Sequence, residues 1–137
     1  MQYGQVEKGI FLARPNRFIA QVLVNGAETV CHVKNTGRCR ELLVPGAAVY
    51  VEKAANPARK TAYDLIAVEK GSRLINMDAQ APNRVFAEWA QTFDPSVRHI
   101  RPEFTFGQSR LDFCLETVNG LHLVEVKGVT LEEDGHT

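Results

Sequence analysis

The 137-residue chain carries 16 basic and 16 acidic residues, so its net charge alone indicates neither a nucleic-acid partner nor an acidic membrane surface. With 45% hydrophobic and 23% charged residues it has the composition of an ordinary soluble globular protein. No apolar run approaches the roughly 20 residues needed to span a bilayer, and residues 1–5 lack the features of a signal peptide. The three cysteines lack the Cys-x-x-Cys spacing of a zinc site, so we expect reduced thiols in a cytoplasmic protein.

Residues 1–80 are predicted to form a small barrel of short strands. The apolar pattern and turn residues, including Asn25-Gly26, indicate five or six strands and one helical turn over Arg38–Leu43. This pattern favours a Greek-key barrel of the oligonucleotide-binding (OB) type, although another small barrel or an open sheet also fits. The predicted strands are Lys8–Arg14, Arg17–Val24, Ala27–Val33, Ala48–Lys53, Tyr63–Glu69 and Arg73–Met77.

The second region, residues 81–137, is predicted to contain one helix and a three-stranded antiparallel meander, which makes the whole chain α+β. We expect a linker over Ala79–Asn83 and a helix over Arg84–Phe93, capped by Asn83. The apolar stripe of this helix consists of Val85, Phe86, Trp89, Ala90 and Phe93, with Trp89 in the core. Such a sheet leaves one face and one edge uncovered, so we expect either an incomplete domain or a partner, including a second copy in a homo-oligomer.

The turns of the meander set which side chains share a face. If Asn119-Gly120 forms the centre of one hairpin, Val118 lies opposite Leu121; in the other hairpin Phe106 lies opposite Ser109. Side chains paired across strands point to the same face. One face then carries three acids and one lysine, Glu103, Asp112, Glu125 and Lys127, and the other is a core face of Phe104, Phe106, Leu111, Phe113, Leu115, Val124 and Val126.

This acidic cluster suits a divalent metal that assists cleavage of a phosphodiester bond. Carboxylates packed together repel one another unless a cation or a proton offsets the repulsion, and Mg²⁺ prefers oxygen ligands. The alternative is that these residues are ordinary solvent-facing charges paired across a half-buried sheet.

A second cluster of polar and basic residues lies at the end of the third predicted strand and in the segment that follows it. It consists of His32, Lys34, Asn35, Arg38 and Arg40, and is the candidate nucleic-acid-binding site. Lysine and arginine neutralise phosphates, which gives binding that depends on salt and little on sequence. The distribution of charge agrees: residues 1–60 hold nine basic and four acidic residues, whereas residues 61–137 hold seven and twelve. Two oppositely charged patches that attract each other explain the same asymmetry.

Glu103, Asp112 and Glu125-Val126-Lys127 resemble the signature of the PD-(D/E)xK nuclease superfamily, with Leu111-Asp112 in place of Pro-Asp. Longer segments resemble the sugar fermentation stimulation protein family, SfsA. They are His32–Arg38, Glu41–Gly46, Tyr63–Ile66, Ser109–Phe113 and Glu125–Glu132.

The resemblance implies an OB-fold-like nucleic-acid-binding barrel over residues 1–80 and the first part of a truncated PD-(D/E)xK nuclease-like domain over residues 81–137. It also implies DNA binding and a link to sugar-use genes. We therefore expect a Mg²⁺- or Mn²⁺-dependent nuclease acting on DNA or RNA. Asp112 and Glu125 would bind the metal, with the Val126 carbonyl as an extra ligand.

In this expected centre, Lys127 orients the attacking water or stabilises the charge that grows on the phosphate, and Glu103 is an outer ligand. Two other classes of function remain open. One is a DNA-binding regulator without catalysis, and the other is an interaction module whose charged halves bind another protein.

Overall fold

The structure, a computed structural model, describes residues 2–56 and 58–130, which form two compact units. The first unit comprises residues 2–79 together with Val129 and Thr130, and the second comprises Gln80–Gly128. The elements in chain order are β1 (Val6–Asn16), β2 (Ile19–Val24), β3 (Ala27–Val33), β4 (Ala48–Lys53), β5 (Tyr63–Lys70), β6 (Arg73–Asn76), α1 (Ala81–Phe93), β7 (Val97–Phe106), β8 (Ser109–Thr117) and β9 (Gly120–Val124). Within the described residues, no helix is both long enough and apolar enough to cross a membrane.

The first unit is a closed five-stranded barrel with the OB topology, as predicted from the sequence. The strand order is β3-β2-β1-β4-β5, and parallel pairing of β3 with β5 closes the barrel. The long strand β1 pairs with β2 on one side and with β4 on the other, and β6 pairs with β5 outside the ring. The interior is filled by alternate, mostly β-branched residues, including Val22, Val33, Val49, Val51 and Val68.

Gly9 allows β1 and β2 to approach closely inside the barrel. A β-carbon at this position would lie 2.6 Å from Cγ1 of Val22 and 2.9 Å from the carbonyl oxygen of Leu23. The second of these atoms belongs to the backbone of a paired strand and cannot move without disturbing the ladder. The absence of a side chain at residue 9 is therefore a packing requirement of the barrel.

Asp64 is a buried carboxylate of the barrel that is surrounded by basic side chains. Its carboxylate accepts hydrogen bonds of 3.1 and 2.7 Å from the Arg59 guanidinium, and the Lys34 ammonium lies 3.7 Å away. Lys34 also lies 4.0 Å from the carboxylate of buried Asp78. Burial alone would raise the pKa of Asp64, but the Arg59 hydrogen bond and the charges of Lys34, Arg59 and His32 together hold it below its usual value.

The second unit consists of α1 and the antiparallel meander β7-β8-β9, as predicted. The helix begins at Ala81 and not at Arg84, and Gln80, not Asn83, is its N-cap residue. The predicted start was wrong because Pro82 fits the first turn, where no amide hydrogen is needed for an intrahelical bond. The predicted linker over Ala79–Asn83 therefore contains the first three residues of the helix.

The register of the meander agrees with the sequence prediction at one hairpin and differs at the other. Phe106 lies opposite Ser109, as predicted. At the second hairpin Thr117 lies opposite Gly120, so the two-residue loop is Val118-Asn119 and the predicted pairing of Val118 with Leu121 was wrong. The Thr117 hydroxyl stabilises this loop, since it accepts a bond from the Asn119 amide and donates one to the Gly120 carbonyl. Relative to the prediction, each residue of β8 pairs with a β9 residue two positions earlier in the sequence. Because side chains alternate with a period of two, every side chain still lies on the predicted face of the sheet.

Helix α1 packs on the sheet through part of its predicted apolar stripe. The Phe86 ring lies 5.2 Å from the Phe113 ring, centroid to centroid, and Ala90 is buried. Val85 and Trp89 are half exposed, with Trp89 exposing 49% of its surface, so the assignment of Trp89 to the core was wrong. Phe106, predicted on the core face, is also exposed. The side chain of Phe93 lies outside what the structure describes.

We predict that Gly9→Ala lowers the free energy of unfolding by about 1–3 kcal/mol, the usual cost of forcing a methyl group into a packed core. Urea denaturation followed by circular dichroism measures this. Gly4→Ala is the matched control, because its added β-carbon would meet Glu52 at 3.7 Å, an ordinary contact. Equal stabilities of the two variants would contradict the packing argument.

We predict that Asp64→Asn destabilises the chain at neutral pH by about 1–3 kcal/mol, because Arg59 and Lys34 lose their common anion. The folded pKa of Asp64 is lowered, so its contribution is complete above the unfolded pKa of about 3.9 and is lost as the pH falls through the folded pKa. The difference between wild type and variant should therefore narrow on acidification. Glu28→Gln, at an exposed carboxylate on β3, should show neither effect. If the difference in unfolding free energy between wild type and Asp64→Asn does not change with pH, the ionised Asp64 carboxylate is not what stabilises the barrel.

Candidate metal centre and basic groove

The Asp112 carboxylate on β8 is held by two donors from different parts of the second unit. Its Oδ2 accepts a hydrogen bond of 2.7 Å from the Val126 backbone amide, and its Oδ1 accepts one of 3.2 Å from the Asn83 side chain. Asn83 therefore orients Asp112 and does not cap the helix. Because each carboxylate oxygen offers more than one acceptor direction, both keep capacity for a further ligand.

Glu125 and Lys127 follow the end of β9 and lie beside Asp112. The last backbone pair of the β8–β9 ladder is Phe113 with Val124, and the same register places Glu125 opposite Asp112. The Lys127 ammonium lies 2.8 Å from Oε1 of Glu125. The hydrogen bond and charge of Glu125, followed by the charge of Asp112, raise the pKa of Lys127, so this side chain remains a cation at neutral pH.

Glu103 does not join this cluster. Its backbone has φ of 54°, in the left-handed region, although the flanking residues Pro102 and Phe104 pair regularly with β8. Its carboxylate instead lies 3.1 Å from the Arg110 guanidinium, and both side chains are exposed. The regular alternation of faces that placed Glu103 beside Asp112 assumed an extended backbone, and the left-handed conformation of this residue within β7 breaks that assumption.

Two carboxylates, Asp112 and Glu125, are thus the acidic side chains that the described part of the chain brings together at this position. Among residues 2–56 and 58–130, no three His, Cys, Asp or Glu side chains come together as a metal-binding group. The pair still fits a hard divalent cation, because both are carboxylates and the Glu125 side chain is half exposed. We call Asp112, Glu125 and Lys127 the acidic centre.

In the barrel, Arg14 organises the loop that follows β3. Its guanidinium donates hydrogen bonds of 2.6–2.8 Å to the backbone carbonyls of Arg17, Asn35, Gly37 and Arg38. One side chain thereby ties the turn after β1 to residues 35–38. This role of Arg14 cannot be predicted from the sequence, because every residue type has a backbone carbonyl that could accept its hydrogen bonds.

A groove of about 690 Å³ opens beside this loop, and we call it the basic groove. Its exposed arginines are Arg17, Arg38 and Arg40, and its apolar wall includes Phe11 and Leu43. Arg38 and Arg40 were predicted to bind nucleic acid. Arg17 was not predicted to bind nucleic acid, because it lies about 20 positions before Arg38 in the sequence and only the folding of the barrel brings it to the same groove.

The other predicted nucleic-acid-binding residues have partners inside the protein. The Lys34 side chain is 15% exposed and lies between Asp64 and Asp78. The His32 ring lies 3.4 Å from Asp64, to which it is also paired in the β3–β5 register. The Asn35 side chain accepts the Gly37 amide at 2.8 Å and so forms a local turn. These three residues do not line the basic groove.

Two family models match successive parts of the chain. The SfsA N-terminal OB domain matches residues 12–77, and the sugar fermentation stimulation protein RE domain matches residues 80–137. Leu131 and Glu132, at the end of the last segment that resembles this family, lie outside the described residues.

Curated relatives carry the same family description. The chain is 57% identical over 136 residues to a sugar fermentation stimulation protein homolog of Desulfitobacterium hafniense strain Y51, and 51% identical over 136 residues to one of Ruminiclostridium cellulolyticum. Each alignment covers 98% of this chain and 60% of the relative, so the chain spans about three fifths of their length.

A solved structure has the same fold. SfsA of Pyrococcus furiosus in complex with Ca²⁺ superposes with a TM-score of 0.86 at 29% sequence identity, covering 97% of this chain and 58% of the other. Most of the barrel lies within the match to the SfsA N-terminal OB domain, and the helix and the meander lie within the match to the RE domain. The chain therefore belongs to the sugar fermentation stimulation protein (SfsA) family.

Proposed function

We propose that the protein binds nucleic acid through its barrel and hydrolyses phosphodiester bonds at a PD-(D/E)xK-type centre formed by Asp112, Glu125 and Lys127. The observation that carries this proposal is the hydrogen bond from the Val126 amide to Asp112, which holds the Glu-x-Lys segment beside the aspartate. DNA or RNA is the expected substrate, because the first domain has the OB fold.

Asp112 and Glu125 would hold Mg²⁺ or Mn²⁺. A family member from Pyrococcus furiosus was solved in complex with Ca²⁺, a hard cation that takes oxygen ligands as these two ions do, which supports a divalent-cation requirement. When bound, such a metal polarises the scissile phosphate and lowers the pKa of a coordinated water. Glu103 is paired with Arg110 and supplies no ligand in this arrangement.

The protein side chains contribute orientation and charge. The Val126 amide and Asn83 fix the direction of the Asp112 carboxylate before any ligand arrives. Lys127 would donate hydrogen bonds that orient the attacking water or stabilise the negative charge that grows on the phosphate. The Lys127–Glu125 ion pair is exposed and opens at little cost when a phosphate replaces the carboxylate.

A second candidate is a nucleic-acid-binding regulator without catalysis. The family description, stimulation of sugar fermentation, favours it, as does the presence of only two adjacent carboxylates in the described part of the acidic centre. The two candidates differ in whether a bound nucleic acid is cut when Mg²⁺ or Mn²⁺ is supplied.

We predict that Glu125→Gln and Asp112→Asn each lower the rate of metal-dependent DNA cleavage by about 100-fold or more, because each removes one anionic ligand. Gel electrophoresis of end-labelled single- and double-stranded oligonucleotides with Mg²⁺ or Mn²⁺ measures the rate. Glu116→Gln is the matched control, since Glu116 lies on the same strand but pairs with Arg101. If the wild-type chain binds DNA without cutting it, the result favours the regulator without catalysis. If both variants cleave DNA at the wild-type rate, Asp112 and Glu125 do not form the catalytic centre.

We predict that Arg38→Ala and Arg40→Ala each weaken DNA binding and make its salt dependence shallower, by about one unit in the slope of log affinity against log salt, because each removes one phosphate contact. Fluorescence anisotropy titrations at several salt concentrations provide the slope. Arg73→Ala, at an exposed barrel arginine outside the basic groove, is the control. An unchanged slope in both groove variants would show that DNA binds elsewhere.

A further inference from the structure

We propose that the basic groove recognises single-stranded nucleic acid, with Phe18 as a stacking surface for an unpaired base and Arg17, Arg38 and Arg40 as phosphate contacts. The proposal extends the proposed nucleic-acid binding by specifying its strandedness and adding an aromatic contact. It is independent of the acidic centre and of cleavage.

Phe18 presents an exposed ring from a fixed backbone. Its side chain is 53% exposed, directly after the groove residue Arg17 and just before β2. The Phe18 amide donates a 2.9 Å hydrogen bond to the Asn16 side chain, and the Phe18 carbonyl accepts one of 2.8 Å from the Val33 amide. The preceding carbonyl, that of Arg17, accepts from Arg14. Because the backbone that carries the ring is already fixed, little backbone entropy is lost when a base stacks on it.

The three groove arginines differ from Lys34 and Arg59 in having no carboxylate partner among the described residues. Lys34 and Arg59 are paired with Asp64, and so contribute to folding. No ion pair within the described part of the chain joins Arg17, Arg38 or Arg40 to an acid, and all three are exposed. Their charge is therefore available to a polyanion.

The shape of the groove favours a nucleotide over a phosphate alone. A volume of about 690 Å³ is in the range of small-molecule sites, and the wall combines arginines with Phe11, Leu43 and Pro45. Phosphates gain nothing from an apolar wall, whereas bases do. In a duplex the bases are stacked on one another, so a duplex offers the groove only its phosphates. A single strand offers both the phosphates and the faces of its bases.

The test compares the affinity of the chain for fluorescein-labelled oligothymidylate of about 20 nucleotides with that for a duplex of equal length, by anisotropy at about 50 mM salt with EDTA to prevent cleavage. We expect the single strand to bind about 10-fold more tightly or better. Phe18→Ala should weaken single-strand binding by about fivefold or more and leave duplex binding within about twofold, because stacking is lost and phosphate contacts remain. Phe18→Trp should restore the affinity.

Phe106→Ala is the matched control, because Phe106 is an exposed phenylalanine in the second unit. Equal affinity for single strand and duplex, or a Phe18→Ala variant that binds the single strand like wild type, would overturn this inference and leave nucleic-acid binding intact. Absence of binding to either oligonucleotide would overturn the proposed nucleic-acid binding as well.

Discussion

The acidic centre depends on one hydrogen bond, from the Val126 amide to the Asp112 carboxylate. Backbone pairing between β8 and β9 ends at Phe113 and Val124. Beyond that pair, the hydrogen bond from the Val126 amide to the Asp112 side chain keeps the segment after β9 next to β8. Side chains alternate along an extended segment, so fixing Val126 also fixes Glu125 and Lys127 on the side of Asp112. The consequence is visible in the electrostatics, because the negative charges of Glu125 and Asp112 both raise the pKa of Lys127. Lys127 is therefore in contact with Glu125 and lies within the electrostatic influence of Asp112.

The barrel separates charges that stabilise the fold from charges that remain available to a ligand. Asp64 is almost fully buried and is paired with Arg59 and Lys34, and its buried negative charge would be costly without these partners. The Arg14 guanidinium likewise bonds within the protein, because it donates hydrogen bonds to backbone carbonyls. Arg17, Arg38 and Arg40 are instead exposed along the groove. The basic residues of the first half of the sequence therefore fall into two groups. One group stabilises the fold, and only the other, the exposed arginines of the groove, is suited to binding phosphates.

The sequence predicted those features that follow from local rules. The alternation of apolar residues and turns such as Asn25-Gly26 gave the barrel and the meander, and the hairpin at Gly107 gave the correct β7–β8 register. The wrong position of the turn at Val118-Asn119 did not change the predicted faces of the sheet, because a register shift of two residues leaves each side chain on the same face. The left-handed backbone of Glu103 was not predictable, since no glycine or turn motif marks it. The roles of Arg14 and Arg17 depend on contacts between distant segments, and so does the burial of Lys34, which looked like a surface cation.

The most direct test of the acidic centre is a Mn²⁺ titration of the ¹⁵N-labelled chain followed by NMR, because a paramagnetic ion broadens the amide signals nearest to it. If Asp112 and Glu125 share one ion, the amides of Asp112, Glu125 and Val126 broaden first, at Mn²⁺ concentrations that leave the barrel signals sharp, and Glu125→Gln abolishes the effect. Broadening centred on the barrel carboxylates Asp64 and Asp78, or broadening that is uniform along the chain, would contradict the account.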